Sequence, residues 1–347
     1  MNTLAAIPEV SIPRHHFDTM LAFTSLMFQL KKSPAYQQWI AAHVPPSAML
    51  GSDHDAILIG FDFHLTEDGP KLIEINNNAG GLFTGSTGWL AQPSLDGSLL
   101  SRLQQMFPDH WKTIAIVDEA IETQFMLPEM QAYAELLRQQ GRTVFLASPQ
   151  AITATDDGLY IDDQRLDGIY NRHTDFYLQQ DAMADIRRAL EANQVELNPF
   201  PRSYALLGDK DRMADWWQAG SLDPFLSEED CALIHAMVPE VTRLQDVGDD
   251  VAWQQRKHWV FKPPSSHAGK GVVIGKNMSR TRFNSLGRDT TLMQRFIPAS
   301  EISTAEGDSF RFDLRLYMHG AQLIALAGRL WRGQLTNFRQ EGSGWTA

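Results

Sequence analysis

The sequence contains one cysteine, Cys231, among 347 residues. A lone cysteine cannot form an internal disulfide, which excludes a disulfide-stapled secreted scaffold and fits a reducing compartment. No apolar run reaches the roughly 20 residues that a membrane span needs. The N-terminal MNTLAAIPEV lacks the basic and long apolar segments of a signal peptide. We therefore expect a cytoplasmic protein that does not act at a membrane.

Positive charge is also scarce: 30 lysines and arginines stand against 42 aspartates and glutamates, a net charge of −12. This balance argues against a nucleic-acid partner, because such a protein must neutralise phosphates along a strand. Between Arg256 and Arg339, however, fourteen basic residues accompany five acidic ones. A basic segment in an acidic chain indicates a small anionic ligand held there, although arginines scattered over a surface would give the same count.

Length and pattern predict an α/β protein of two or three domains. Residues 15–43 have helical periodicity, with a second helix starting at Ser33-Pro34. Residues 113–147 predict a βαβ unit, and a further strand at 168–170 runs into Arg172. Polar residues just beyond a strand's carboxyl end are a common ligand position in α/β folds, so Arg172 is a substrate candidate.

A glycine-containing loop follows the strand Trp259–Phe261. The strand ends in Lys262 and two prolines, and the loop Ser265–Gly271 leads into a second strand over 272–274. Glycines allow several backbone N–H groups to approach one anion, and Lys262 and Lys270 add positive charge, which indicates a polyphosphate ligand. The motif is not a Walker A loop, which leads into a helix. An exposed hairpin with ordinary lysines fits the same letters.

Residues 56–76 predict a β-hairpin with its turn at 66–70. The two-residue period and a five-residue loop place Asp62 opposite Glu74, with Asn76 on the same side. Converging carboxylates are costly unless a cation lies between them, and oxygen ligands suit Mg²⁺. We therefore predict a metal site at Asp62, Glu74 and Asn76, the alternative being a polar hairpin face in water.

A second hairpin is predicted over 310–331, with Phe312, Leu314 and Leu316 on one face and Arg311, Asp313, Arg315 and Tyr317 on the other. Neither hairpin can be stable alone, because each has an apolar face to cover. We expect the two hairpins, more than 230 residues apart, to share one antiparallel sheet. Its ligand side would carry the metal residues together with Asp313, Arg315 and Asn337, and residues 342–347 would end near the nucleotide.

The order of these motifs resembles the ATP-grasp superfamily. The matching segments are Asp209-Lys210 at a helix start, V-x-K-P with a glycine loop at 260–271, Q-x-F-I-P-x-x-E at 294–301, D-x-R at 313–315, and then Arg329 with Asn337. The metal motif, which closes the usual order, comes first here. This resembles the circularly permuted branch that includes glutathionylspermidine-synthetase-like proteins. It implies a permuted ATP-grasp fold with a Rossmann-like α/β domain before the nucleotide-binding half.

The resemblance implies the following roles. Nucleotide contacts would come from Lys210, Lys262, Ser265, Gly269, Lys270, Gly271, Gln294, Phe296, Ile297 and Glu301; catalytic contacts from Arg315, Arg329 and Lys262; and substrate contacts from Arg172, Arg332 and Arg339. Residues 1–110 would hold the N-terminal helices and the metal hairpin, 111–200 the Rossmann-like domain, and 201–347 the nucleotide-binding half. His267 stands in the loop where many relatives have small residues.

The implied activity is an ATP- and Mg²⁺-dependent carboxylate–amine ligase that works through an acyl phosphate. Positioning and charge neutralisation carry such chemistry, so the sequence needs no side-chain nucleophile. Its partners would be small carboxylates and amines, with the oligomeric state left open. A non-catalytic nucleotide-binding protein and an ATP-dependent phosphotransferase are the alternatives.

Overall fold

The structure is a computed structural model that describes residues 10–51, 54–83, 97–264, 271–303, 307, 309–333 and 344–346. The α-helices in these ranges are α1 (Arg14–Lys32), α2 (Pro34–Ala41), α3 (Gly97–Gln105), α4 (Leu127–Arg138), α5 (Ala184–Glu191), α6 (Pro201–Ser203), α7 (Asp211–Trp217), α8 (Glu228–Met237), α9 (Asp249–Gln255) and α10 (Arg280–Asn284). A π-helical turn, Tyr204–Gly208, follows α6. No described helix is long and apolar enough to cross a membrane.

The strands form four sheets. They are β1 (Ile59–Thr66), β2 (Gly69–Asn76), β3 (Thr113–Val117), β4 (Thr143–Ala147), β5 (Thr153–Thr155), β6 (Gly158–Ile161), β7 (Gln164–Arg165), β8 (Gly168–Asn171), β9 (Glu196–Asn198), β10 (Val241–Arg243), β11 (Trp259–Lys262), β12 (Val273–Ile274), β13 (Leu292–Arg295), β14 (Ser300–Ser303), β15 (Ser309–His319), β16 (Gln322–Trp331) and β17 (Gly344–Thr346). Helices and sheets are mixed along the chain, as the α/β prediction requires.

The two predicted hairpins lie in one antiparallel sheet, which confirms that expectation. Its strand order is β17-β16-β15-β1-β2, and β14 also pairs with β15. Ile59 to Phe63 of β1 run against Met318 to Leu314 of β15. The last described strand, β17, places Trp345 beside Arg329 in the register. Segments from opposite ends of the chain therefore build a common surface.

The β1–β2 hairpin has the predicted register but a shorter turn. The strands reach Thr66 and Gly69, so two residues form the turn instead of five. A β-bulge between Asp62 and Phe63 shifts the pairing by one residue, and Asp62 therefore still faces Glu74. Bulges add one residue to one strand and re-aim the neighbouring side chains. The bulge restores the pairing that a longer turn would have produced.

The first helices cover the apolar face of this hairpin. Ser33 caps α2 by accepting a hydrogen bond from the Tyr36 N–H, and Pro34 occupies the first turn, as predicted. Phe23 of α1 packs edge-on against Phe61 and Phe63, at 6.5 and 6.1 Å between ring centroids. Both strand phenylalanines are fully buried. Burying the odd-numbered side chains turns Asp62 and His64 to the opposite face.

A parallel sheet follows, with strand order β4-β3-β8-β9. The βαβ unit β3–α4–β4 and the strand β8 occur where the pattern predicts them. The segment 198–201 begins inside this sheet, because Asn198 ends β9. Its side chain accepts from the Ile57 N–H at 2.7 Å and donates to the Asp55 carbonyl at 2.9 Å. This segment therefore joins the parallel sheet to the chain just before β1.

The glycine-loop strand and the Q-x-F-I-P strand are neighbours in a third sheet, ordered β10-β13-β11-β12. Val260 pairs with Gln294, and Lys262 with Leu292. A three-stranded sheet, β5-β6-β7, completes the set. One hydrophobic core joins α1 and β1 to Leu206 and Met237, and to Leu292 and Leu316 from further along the chain.

Candidate active site

A buried cluster of charges lies on the polar face of the central sheet. The Arg315 guanidinium donates from Nε to Asp62 Oδ1 and from Nη2 to Oδ2, each at 2.6 Å. Arg329 grips Asp313 in the same bidentate way, at 2.6 Å for both bonds, and its Nη2 also donates to Asp62 Oδ2 at 2.7 Å. All four residues are at least nine-tenths buried. We call Asp62, Asp313, Arg315 and Arg329 the arginine–aspartate cluster.

The formal charges of this cluster cancel. Burial raises the pKa of Asp62, while the guanidinium groups of Arg315 and Arg329 oppose that rise. Burial alone would lower the pKa of Arg315, but contact with Asp62 raises it above its ordinary value. Protonating Asp62 would leave two buried guanidinium groups facing a single carboxylate, so the ionised pairing is favoured.

Gly60 makes room for this cluster. A β-carbon at position 60 would lie 3.1 Å from Arg315 Nε and 3.1 Å from the Ala79 side chain. Contacts this tight force a neighbour to move, and here the neighbour is a side chain locked by two hydrogen bonds to Asp62. Glycine therefore lets the Arg315 side chain lie flat across β1.

Glu74 lies opposite Asp62 and faces lysines instead. Its carboxylate is 3.8 Å from Lys210 Nζ, and its side chain is one-third exposed. Burial raises its pKa, but Lys210 and Lys262, followed by Arg329 and Arg315, together outweigh that effect and hold the pKa at about 2. Lys210 precedes α7, where Tyr177 donates a hydrogen bond to Asp209 and Asp209 in turn accepts from the Asp211 N–H. These bonds fix the backbone from which Lys210 reaches Glu74.

Lys262 reaches the same point from the third sheet. Its Nζ lies 3.5 Å from the Ile73 carbonyl, and Gln294 Nε2 lies 3.5 Å from the same oxygen. Burial, with Lys210 nearby, lowers the pKa of Lys262 to about 7 despite the attraction of Glu74. Lys262 of β11 and Gln294 of β13 therefore approach β2 at the same backbone carbonyl, that of Ile73.

Asn76 connects the two carboxylates. Its Nδ2 donates to Asp62 Oδ2 at 3.0 Å and to Glu74 Oε1 at 3.2 Å. The three side chains predicted to converge do so. The cost of bringing the carboxylates together is met by the Asn76 amide, two arginines and two lysines. A three-ligand magnesium site does not fit this arrangement, because Asp62 is held by guanidinium groups; Glu74 is not.

Three further predicted nucleotide contacts, Phe296, Ile297 and Glu301, are partly or fully exposed. Phe296 is 37% exposed, and its N–H donates to the His258 carbonyl. The Ile297 carbonyl lies 3.0 Å from His64 Nδ1. Glu301 is exposed and pairs with Arg311 at 3.5 Å.

Arg332 is exposed too, and its guanidinium lies 4.8 Å from the centre of the Phe310 ring. A cavity of about 390 Å³ is lined in part by Glu301, Arg311 and Arg332.

Part of the predicted site is outside the described residues. This applies to Ser265, Gly269, Lys270, Asn337 and Arg339. Gly271 is described: its φ of +77° lies in the left-handed region, and a β-carbon there would come within 2.8 Å of Pro263. Glycine is the residue that adopts this conformation at no steric cost, so the end of the loop depends on it.

Arg172 is buried and holds a loop that follows the metal motif. Its Nη1 donates to Asn78 Oδ1 at 2.5 Å and to the Ala79 carbonyl at 3.3 Å. From helix α4, Glu129 accepts from the Gly81 N–H at 2.7 Å. From the central sheet, Arg315 donates to the Gly80 carbonyl at 2.9 Å. The loop 78–81 therefore ties the parallel sheet to the arginine–aspartate cluster, a contact at Arg172 that its position after β8 did not predict.

Glu129 is a residue of this region that the sequence reasoning missed. It is 1% exposed although it belongs to the first turn of α4. An acidic residue in a first helical turn normally reads as an exposed group that favours the helix dipole. No local pattern marks it as the acceptor for a loop 48 residues earlier.

A scan against family models finds no match, and a search of curated proteins finds no similar sequence. Solved structures do resemble the chain. One is a glutathione synthetase-like effector from Globodera pallida, with a TM-score of 0.56 and 11% identity over 92% of this chain and 85% of that one. Another is a putative γ-glutamylcysteine synthetase from Methylobacillus flagellatus, with a TM-score of 0.51 and 13% identity over 94% of this chain and 85% of that one.

At these identities the likeness shows the fold alone. The chain has the fold of these two structures. The ATP-grasp ligase PsnB also matches, at a TM-score of 0.39 and 14% identity over 68% of this chain and 75% of that one, a score too low to add to the assignment.

Proposed function

We propose that this chain is an ATP-dependent carboxylate–amine ligase that forms an amide or peptide bond. The observation that carries the proposal is the meeting of Lys210, Lys262 and Glu74 beside the arginine–aspartate cluster, in a fold similar to that of a glutathione synthetase-like effector. Cations that converge from separate elements on one carboxylate suit a nucleotide polyphosphate and an anionic intermediate.

In the proposed reaction, a substrate carboxylate oxygen attacks the γ-phosphorus of ATP and ADP leaves. The nitrogen of an amine then attacks the acyl carbon, phosphate leaves with the bonding electrons, and the amine loses a proton. Lys210 and Lys262 would bind the nucleotide phosphates, and adenine would lie along Gln294–Ile297, next to Phe296, with Glu301 toward the ribose. Ser265, Gly269, Lys270 and Gly271 would also contact the nucleotide.

Arg315 and Arg329 would stabilise the charge on the transferred phosphoryl and acyl groups. Asp62 and Asp313 occupy the bidentate donor faces of these arginines and hold both side chains in place before substrate arrives. The stabilisation would therefore act through the positive charge of the guanidinium groups. Arg332 and Arg339 would bind the substrate, and Arg172 would support the site through the loop 78–81. Mg²⁺ would enter with ATP and would neutralise charge on the phosphates.

The order of the motifs also supports a circularly permuted arrangement. The hairpin β1–β2, which carries Asp62, Glu74 and Asn76, comes early in the chain but pairs with β15. We propose that this hairpin corresponds to the metal-motif segment that comes last in the usual ATP-grasp order. In this chain it would precede the other motifs.

ADP release with Mg²⁺–ATP, measured over a panel of amino acids and short peptides, tests the function. The two similar structures are named as glutathione-related synthetases, which is why we choose this panel. We expect one or more carboxylates to stimulate ADP release and hydroxylamine to trap a hydroxamate. ADP release that leaves a stable phosphorylated product, without hydroxamate, would indicate a phosphotransferase. ATP binding without turnover would indicate a nucleotide-binding protein.

A further inference from the structure

The Asp62 carboxylate has little capacity left for a metal ion. It accepts four hydrogen bonds: two from Arg315, one from Arg329 and one from Asn76. An ionised carboxylate offers about four lone-pair sites on its two oxygens. Asp62 is also 0% exposed, so a metal would have to replace existing donors.

Replacing those donors would disturb a balanced cluster. Arg329 is already gripped by Asp313 through two bonds of 2.6 Å. Arg315 has Asp62 as its bidentate carboxylate partner. Moving Asp62 onto a cation would therefore leave the buried Arg315 guanidinium without that partner. Breaking a buried ion pair costs several kcal/mol, which opposes such a movement.

Glu74 differs on each of these counts. Its side chain is one-third exposed, and the ammonium group of Lys210 lies at 3.8 Å, beyond hydrogen-bond distance. Asn76 contacts Oε1. The carboxylate can therefore take a new partner without breaking a bidentate pair.

We propose that Asp62 is a positioning residue for Arg315 and Arg329, and that Glu74 is the carboxylate of this pair that contacts a nucleotide-bound divalent cation. This assignment rests on the proposed function. It differs from the sequence-based prediction of a single metal site, because Asp62 and Glu74 have separate roles. Asp62 orients guanidinium donors, and Glu74 meets the cation.

Mn²⁺ binding in the presence of ADP, followed by electron paramagnetic resonance, tests this division without requiring turnover. Asp62→Asn alone risks unfolding, because it leaves two buried arginines with one carboxylate. The informative variant is therefore the double substitution Asp62→Asn with Arg315→Gln, which removes both charges of one pair. Glu74→Gln removes the proposed ligand. Glu67→Gln, an exposed residue in the turn of the same hairpin, is the matched control.

We expect the double variant and the Glu67→Gln control to bind Mn²⁺–ADP within about threefold of the wild type, and Glu74→Gln to lose at least about tenfold. Equal losses in the double variant and in Glu74→Gln, with circular dichroism showing both folded, would overturn the division. So would full binding by Glu74→Gln. If the wild type binds no Mn²⁺–ADP, the proposed function itself fails, and the assignment of Glu74 fails with it.

Discussion

Asp62 and Glu74 face each other across one strand pair, yet their surroundings are opposite. Asp62 is fully buried and is held by the planar forks of arginines; Glu74 is partly exposed and looks toward lysines. An arginine fork fixes a carboxylate in one orientation, whereas an ammonium acts as a point charge and leaves it adaptable. The comparison teaches that a shared strand face does not imply a shared role.

The largest expected difference between Asp62 and Glu74 is in how much each stabilises the folded protein. Asp62→Asn should lower the free energy of unfolding by about 3–5 kcal/mol, because it leaves buried guanidinium charge unpaired. Glu74→Gln should lower it by less, about 1–3 kcal/mol at pH 7, because the partly exposed carboxylate is a partner of the nearly buried Lys210 and Lys262. Urea unfolding measures both. Equal destabilisation by the two substitutions would erase the contrast.

ATP affinity, in contrast to stability, should depend on the lysines near Glu74. Lys262→Ala should weaken ATP binding by about 1.5–3 kcal/mol, the range for a charge-assisted hydrogen bond. Lys257→Ala removes the same charge from an exposed position just before β11 and serves as the control. Isothermal titration calorimetry measures both affinities. A Lys262→Ala variant that binds like Lys257→Ala would remove Lys262 from the phosphate site.

A smaller effect should appear in the protons taken up on binding. The pKa of Lys262 is about 7 without ligand, so at pH 8 the amine is mostly neutral. Phosphate oxygens favour the ammonium form and raise its pKa. ATP binding should therefore take up protons at pH 8, by less than one equivalent, and affinity should fall as pH rises above 7.

Calorimetry at pH 8 in buffers of different ionisation enthalpy measures this uptake. Lys262→Ala provides the comparison, since it has no amine at this position to titrate. Uptake of the same size in Lys262→Ala would assign the proton to another group.

The sequence predicted the pairing of the strands in the central sheet better than it predicted the partners of the charged side chains on that sheet. Alternation along 310–317 and 56–65 identified apolar faces that had to be covered, and the two hairpins do pair. The predicted pairing of Asp62 with Glu74 was correct, but the reasoning behind it was incomplete. The sequence pattern indicated neither the two-residue turn nor the bulge that compensates for it. A bulge is set by the partner strands, which periodicity does not reveal.

Pairing of buried charges was harder to predict. The residue types at Asp62, Glu74 and Asn76 suit a metal site, and the pattern contains nothing that assigns Arg315 to Asp62 across 253 positions. The contacts of Arg172 were equally hard to predict: the position after β8 suggested a ligand contact, and nothing in it indicated that the side chain reaches Asn78 and Ala79. Such contacts depend on how separate sheets pack, which local sequence does not encode.

The most direct test of the division between Asp62 and Glu74 is a crystal structure with ADP and Mn²⁺, using the anomalous signal to locate the metal. We predict an anomalous peak within bonding distance of a Glu74 oxygen, with Asp62 still gripped by Arg315. A peak that bridges Asp62 and Glu74, with the Arg315 pair broken, would contradict the account.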